Sequence, residues 1–129
     1  MAALVRLHKL GRVVTDQEYD FDGNAHGPDV SFFSPQKEKL VEGELRVQRF
    51  VPDLALRFAS KRDRFDTLFE KAPPYRRCGT AEVYVFSIKA KQNSRYSAEH
   101  TVVLNETDEF CPAQIPGFNI GICDLFWMI

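Results

Sequence analysis

Two proline–aspartate pairs each open an apolar run: Pro28-Asp29 before VSFF, and Pro52-Asp53 before LALRF. Each presents a carboxylate at the entry to a strand, and one or two carboxylates so placed can hold a hard cation such as magnesium. A Pro-Asp pair is equally turn chemistry, because both residues crowd into turns. Arg57 is a sharper clue, since it sits inside LALRFA, which otherwise reads as a buried strand. A charge in such a run is costly unless it finds a partner. Further on, Lys71 and Tyr75 lie four positions apart. On an unbroken helix that spacing puts both on one face.

The order of these pieces says more than any one of them. A carboxylate at one strand, an acid in the middle of the next and a nearby lysine suit phosphodiester hydrolysis. The carboxylates hold a cation, the cation polarises the ester and activates water, and the lysine offsets developing charge. Here the middle position of the second strand carries arginine, not an acid.

Other chemistries find less support. His8, His26 and His100 are far apart and lack metal-ligand spacing, and they read as surface or loop residues. Cys78, Cys111 and Cys123 are odd in number with no CxxC, which suggests reduced thiols, neither a zinc site nor a disulfide framework. Ser34, Ser60 and Cys78 have no adjacent base to make them nucleophiles, and no glycine-rich phosphate loop occurs. SKRDR and YRRC cluster Lys61, Arg62, Arg64, Arg76 and Arg77. These are candidate phosphate contacts if they flank the site, and a solvated helix face otherwise. Phe32, Phe33, Tyr84, Phe86 and Tyr96 read as core.

The elements that must position these residues belong to a chain of 129 residues, 44% hydrophobic and 27% charged, with a formal net charge of -1. That fits one domain over residues 1–129 with a single core. The charge balance argues against a basic nucleic-acid arm or a polybasic membrane patch, so any nucleic-acid contact must come from clustered charges. No apolar run approaches the ~18 residues of a membrane span, and a cytoplasmic protein is expected. ALVRLHKL reads as the end of a helix, RVVTDQEYDF as one or two extended pieces, DGNAHGP as a turn and DVSFF as a strand. Residues 36–49 read as a charged connection with a helical turn. DLALRFA is the next strand, and SKRDRFDTLFEKA is a helix with Phe65, Leu68 and Phe69 on one face, stopped by Pro73 and Pro74. EVYVFSIKA is the clearest strand, with Val83, Val85 and Ser87 on one side. SRYSAE and HTVVLN complete an antiparallel ladder, and IPGFNIGICDLF closes the chain with a short extended piece and a helical turn. The fold class expected is α/β or α+β with a mixed central sheet.

From GRVVT to DLF the chain resembles the Uma-type restriction endonucleases of the PD-(D/E)XK nuclease superfamily. The resemblance rests on GPDVSFFSP, VPDLALRFAS, EKAPPYRRCGTAEVYVFSIKAKQNSRYS and IPGFNIGICDLF, in that order. It implies a restriction-endonuclease-like mixed central β-sheet flanked by helices, and hydrolysis of DNA with Mg2+ or Mn2+. It matches Asp29 to the metal-ligand aspartate, Lys71 and Tyr75 to the helix lysine and tyrosine, and Asp53 to the second proline–aspartate pair. Lys61, Arg62, Arg64 and Arg76 become candidate DNA contacts. The strand glutamate of the family falls on Arg57. A guanidinium offers no coordinating oxygen and does not shed its proton. At about 4 Å it repels a divalent ion by ~8 kcal/mol at an effective dielectric near 20. Arg57 is therefore expected either to pair with Asp29 in place of the metal or to lie at the sheet edge in solvent. Pro73-Pro74 and the short start, where the family carries a longer N-terminal region, point the same way as Arg57. A truncated or decaying gene copy, or a reading frame begun late, fits all three departures. The expectation is a catalytically impaired nuclease. The alternative is a non-catalytic binding or dimerisation module, a homodimer using its uncovered face.

Overall fold

In the computed structural model, residues 10–43, 45–59, 73–87, 92–98 and 100–125 are described. The helix expected at the start, the apolar helix face of Phe65, Leu68 and Phe69, and Lys61, Arg62, Arg64 and Lys71 lie outside them.

Six strands form one mixed sheet in the order β1-β4-β6-β7-β8-β9: β1 (Arg12–Thr15), β4 (Val30–Phe33), β6 (Leu54–Ala59), β7 (Glu82–Ser87), β8 (Gln92–Tyr96) and β9 (Thr101–Leu104). All neighbours are antiparallel except β6 and β7, which run parallel from Leu54↔Glu82 to Ala59↔Ser87. Both are apolar runs paired on two sides, as buried parallel strands require. A three-stranded sheet, β3-β2-β5, combines β2 (Glu18–Phe21), β3 (Asn24–His26) and β5 (Val47–Gln48). A two-stranded ribbon joins β10 (Glu109–Phe110) to β11 (Ile120–Gly121).

The period of two along the strands sorts the core into two faces. Leu54 and Leu56 pack with Phe32, Tyr84, Phe86 and the closing segment of Phe110, Ile115, Ile122 and Leu125. Ala55 points the other way, with Val83, Val85 and Tyr96, toward Tyr19, Phe21 and Tyr75. The five aromatics read as core, Phe32, Phe33, Tyr84, Phe86 and Tyr96, are all buried.

The mixed sheet is as expected, but the flanking helices are few among the described residues: α1 (Pro35–Glu38), helical residues 73–77, and α2 (Ile122–Leu125). No helix among them is long and apolar enough to cross a membrane. Two local expectations need correction. DGNAHGP holds a strand as well as a turn: Asp22 and Gly23, with φ 55° and 86°, make a two-residue hairpin loop between Phe21 and Asn24, the geometry Asp-Gly favours. The charged connection contains β5, which pairs in parallel with β2. Residues 73–77 are helical, while the helix expected to stop at Pro73 and Pro74 lies outside the described residues. Proline's fixed φ suits a helix, and the Pro74 carbonyl accepts from Cys78 N at 3.1 Å. The stop comes at Gly79, φ +111°, where Gly79 N donates to Arg76 O and Thr80 N to Tyr75 O, both at 3.1 Å. This paired closure satisfies the last carbonyls of the helix. A Cβ at Gly79 meets only Val51 at 3.6 Å, so the cost of alanine there is conformational, about 1–2 kcal/mol. Gly79→Ala is expected to lower the denaturant midpoint by that amount without changing the slope of the transition.

All four tyrosines are buried, and burial raises each above the usual tyrosine range, Tyr19, Tyr75 and Tyr96 to about 12. Below about pH 10 each is neutral in both the folded and unfolded chain, and the full stability is present. Above that pH the unfolded chain ionises first, so stability is lost as pH climbs toward 12. The melting temperature is expected to fall over this window, with tyrosinate absorbance rising together with the loss of circular dichroism. Tyr75→Phe is expected to remove about one proton from that dependence.

Candidate functional site

The site forms where β4 enters the sheet beside β6. Val30 pairs with Leu56 and Ser31 with Ala55, so one further step places Asp29 opposite Arg57 on one face and Pro28 opposite Phe58. Proline brings no N–H to the ladder, and the regular pairing ends here. Phe58 N instead donates to Asp29 Oδ2 at 2.7 Å, and Asp29 N donates to Leu56 O at 3.0 Å. The carboxylate thus serves as the last rung of the sheet.

Arg57 takes neither of the two positions expected for it. β6 is an interior strand, so Arg57 is not at the sheet edge, and the residue is half-buried. Its Nη1 donates to the Gly27 carbonyl at 2.6 Å, and Asp29 and Arg57 form no ion pair. The physical reason is local. Gly27 O is a free acceptor just before the proline, while one Asp29 oxygen is already held by Phe58 N. Arg57 Nε is buried without a partner.

Tyr75 completes the group. Its ring stacks on Phe21 at a centroid distance of 4.1 Å and 9° between planes, and the His26 ring lies 5.7 Å away. The residue is fully buried and its hydroxyl has no hydrogen-bond partner. Burial is the main cause of its raised pKa. The Arg57 charge pulls against that shift and the Asp29 charge adds to it, so the hydroxyl feels both.

The other candidates are placed elsewhere. The Asp53 carboxylate is occupied: Oδ1 meets Lys37 Nζ at 2.9 Å and Oδ2 accepts from Ser34 N at 2.8 Å. Ser34 makes no side-chain cap on α1, so Asp53 satisfies that terminus from across the chain. Arg76 Nη1 donates to the Thr80 and Ala81 carbonyls at 2.8 and 3.1 Å. Arg77 is exposed and lines a cleft of about 570 Å³ with Asp20, Asp22, Asn24, Arg49 and Cys78. That cleft includes neither Asp29 nor Arg57.

A polar group missed in the sequence lies on the opposite face. Buried Glu82 accepts from Tyr84 Oη at 3.1 Å and from Gln114 N at 3.0 Å, pinning the loop before Ile115 to β7. Its one signal is a carboxylate opening the apolar run VYVF. Gly27 was missed as well, and no side-chain pattern could have flagged a carbonyl.

The described residues of this group do not fit a divalent cation. Asp29 offers one carboxylate with one oxygen engaged, a guanidinium stands opposite, and no group of three or more His, Cys, Asp or Glu converges among the described residues. Position 57 faces Asp29 across the β4–β6 pair.

Comparison with known proteins agrees with this architecture. The crystal structure described as that of a putative nuclease belonging to DUF820, from Anabaena variabilis ATCC 29413, is similar with a TM-score of 0.84 at 16% identity. The match covers 98% of this chain and 74% of that one, and at such identity it speaks for the fold. No curated protein matches. The model of the Uma2 family, described as "Putative restriction endonuclease", matches residues 1–122, so the chain belongs to the Uma2 family.

Proposed function

We propose that this chain is a DNA-directed member of the endonuclease family in which hydrolysis with Mg2+ or Mn2+ is lost or severely reduced at position 57. The observation that carries this reading is the placement of Arg57 on an interior strand, opposite Asp29, with its guanidinium fixed on the Gly27 carbonyl. On this reading Asp29 is the surviving ligand position and Lys71 the charge-stabilising residue. Asp53, matched to the second proline–aspartate pair, acts as a cap for α1 instead of in the chemistry. Arg57 blocks hydrolysis in two ways: it takes away a coordinating oxygen and it repels the ion.

Nicking of supercoiled plasmid with Mg2+ and then Mn2+ tests the reading. The native chain is expected to leave the plasmid intact. Arg57→Glu is expected to gain metal-dependent nicking by about 100-fold or more, the scale of one electrostatic group at a reacting centre. Arg57→Glu/Asp29→Ala is expected to lose it again. Nicking by the native chain would refute the impairment.

A second reading, a non-catalytic assembly module, is favoured by β9. This edge strand has no charge in its four residues, and Val103 is 70% exposed. Edge strands usually carry charge, proline or a bulge that blocks pairing with another chain. On this reading the native chain elutes as a dimer and Val103→Lys converts it to a monomer. A native chain monomeric at every concentration by light scattering removes the reading.

A further inference from the structure

Two donors around Arg57 have no acceptor: Arg57 Nε and the Tyr75 hydroxyl, both enclosed by protein. An unmet buried donor costs about 1–3 kcal/mol; other buried atoms without a partner lie on Thr80, Asn93 and Arg95, and here one belongs to the guanidinium and one to the tyrosine whose hydroxyl feels its charge. Nη1 is fixed on Gly27 O, which orients the planar fork. β6 is paired on both sides, so the exposed part of half-buried Arg57 is its side chain. The group that best satisfies a guanidinium fork and a neighbouring hydroxyl is one with several acceptor oxygens and negative charge, and phosphate is that group. Asp29 opposes an anion here. One of its oxygens is held by Phe58 N and it forms no ion pair with Arg57, and its charge lowers the affinity for an anion.

We propose that the exchange to arginine turned the cation position of this site into a phosphate position, with Arg57 and Tyr75 as the binding donors and no divalent ion required. The proposal rests on the DNA reading only for the source of the phosphate. The chemistry is shared by a DNA backbone phosphate and by free phosphate, and the two are separable. The Tyr75 hydroxyl is enclosed in the unliganded protein, so this binding mode requires Tyr75 to move for an oxygen to reach it.

The experiment uses the full chain with two probes, a fluorescein-labelled duplex followed by anisotropy and inorganic phosphate followed by its effect on the melting temperature, each in EDTA and in Mg2+. The native chain is expected to bind the duplex equally well in both. Arg57→Gln is expected to weaken binding about tenfold and to lower the salt slope by about one. Tyr75→Phe, which keeps the ring stack, is expected to weaken it about fivefold. Asp29→Asn, which still offers an oxygen to Phe58 N, is expected to tighten binding about threefold by removing the opposing charge. A purely structural role for these residues does not produce that opposite sign. If phosphate stabilises the native chain through Arg57 but the duplex does not bind, the site stands with free phosphate as its ligand and the DNA reading falls. If the native chain needs Mg2+ to bind either probe, or if folded Arg57→Gln and Tyr75→Phe bind like the native chain, the proposal is overturned. The EDTA comparison on the native chain decides it even where a variant fails to fold.

Discussion

A positive charge that cannot be discharged stands on an interior strand, and the entry of β4 is arranged around that constraint. β6 is paired on both sides, so Arg57 cannot swing to an edge, and its guanidinium stays protonated at any ordinary pH. It needs an oxygen within reach. The tripeptide Gly27-Pro28-Asp29 supplies one by ending the ladder: proline has no N–H to pair with β6, so the Gly27 carbonyl turns to Arg57 and the Asp29 carboxylate to Phe58 N. Each partner left over by the break is taken up, apart from Arg57 Nε and the Tyr75 hydroxyl. Buried atoms without a partner also lie elsewhere, on Thr80, Asn93 and Arg95, but only here do two of them belong to the group around Asp29.

That place is positioned by elements far apart in the chain. The helical residues 73–77 end in the turn at Gly79, which delivers Tyr75 one turn before the stop, against Phe21 of β2. The β2 strand is itself fastened to the main sheet by the 2.6 Å bond between Tyr19 Oη and Ser31 Oγ. The face carrying Arg57 is thus lined by aromatic rings with polar tips, whereas the opposite face is sealed by Phe110, Ile115, Ile122 and Leu125 of the closing segment. One face of the sheet supports stability and the other carries the unusual chemistry. The division follows from alternation along β6, where Leu54 and Leu56 point one way and Ala55 and Arg57 the other.

The strands were legible because their alternation is strong and their ends are marked by proline, aspartate and glycine. VSFF, LALRFA and EVYVFS stand almost where the pattern puts them. Arg57 was legible as an anomaly for the same reason, since it breaks an apolar run. What escaped was everything decided by tertiary pairing. β3 and β5 are short polar pieces that are strands only because β2 lies beside them. The helical residues 73–77 end before Gly79, whose positive φ no neighbouring side-chain type announces. The destination of Arg57 was hidden too, because side-chain types can suggest a carboxylate partner but cannot reveal a backbone carbonyl freed by a break in the ladder. Asp53 shows the reverse error. Its motif suggests chemistry, while its two oxygens are spent on Ser34 and Lys37.

The sign of the charge at position 57 matters to the sheet. An acid at this position would face Asp29 across the strand pair, two like charges in a half-buried place. Such a pair is unfavourable without a cation between them, and the fold would depend on the ion or on protonation of one acid. Arginine reverses the sign of that interaction and gains the Gly27 carbonyl. The sheet is then free of carboxylate repulsion at this point. The planar fork lets one nitrogen take the Gly27 carbonyl and leaves further donors on the same group, where lysine's single ammonium has no such planar spread.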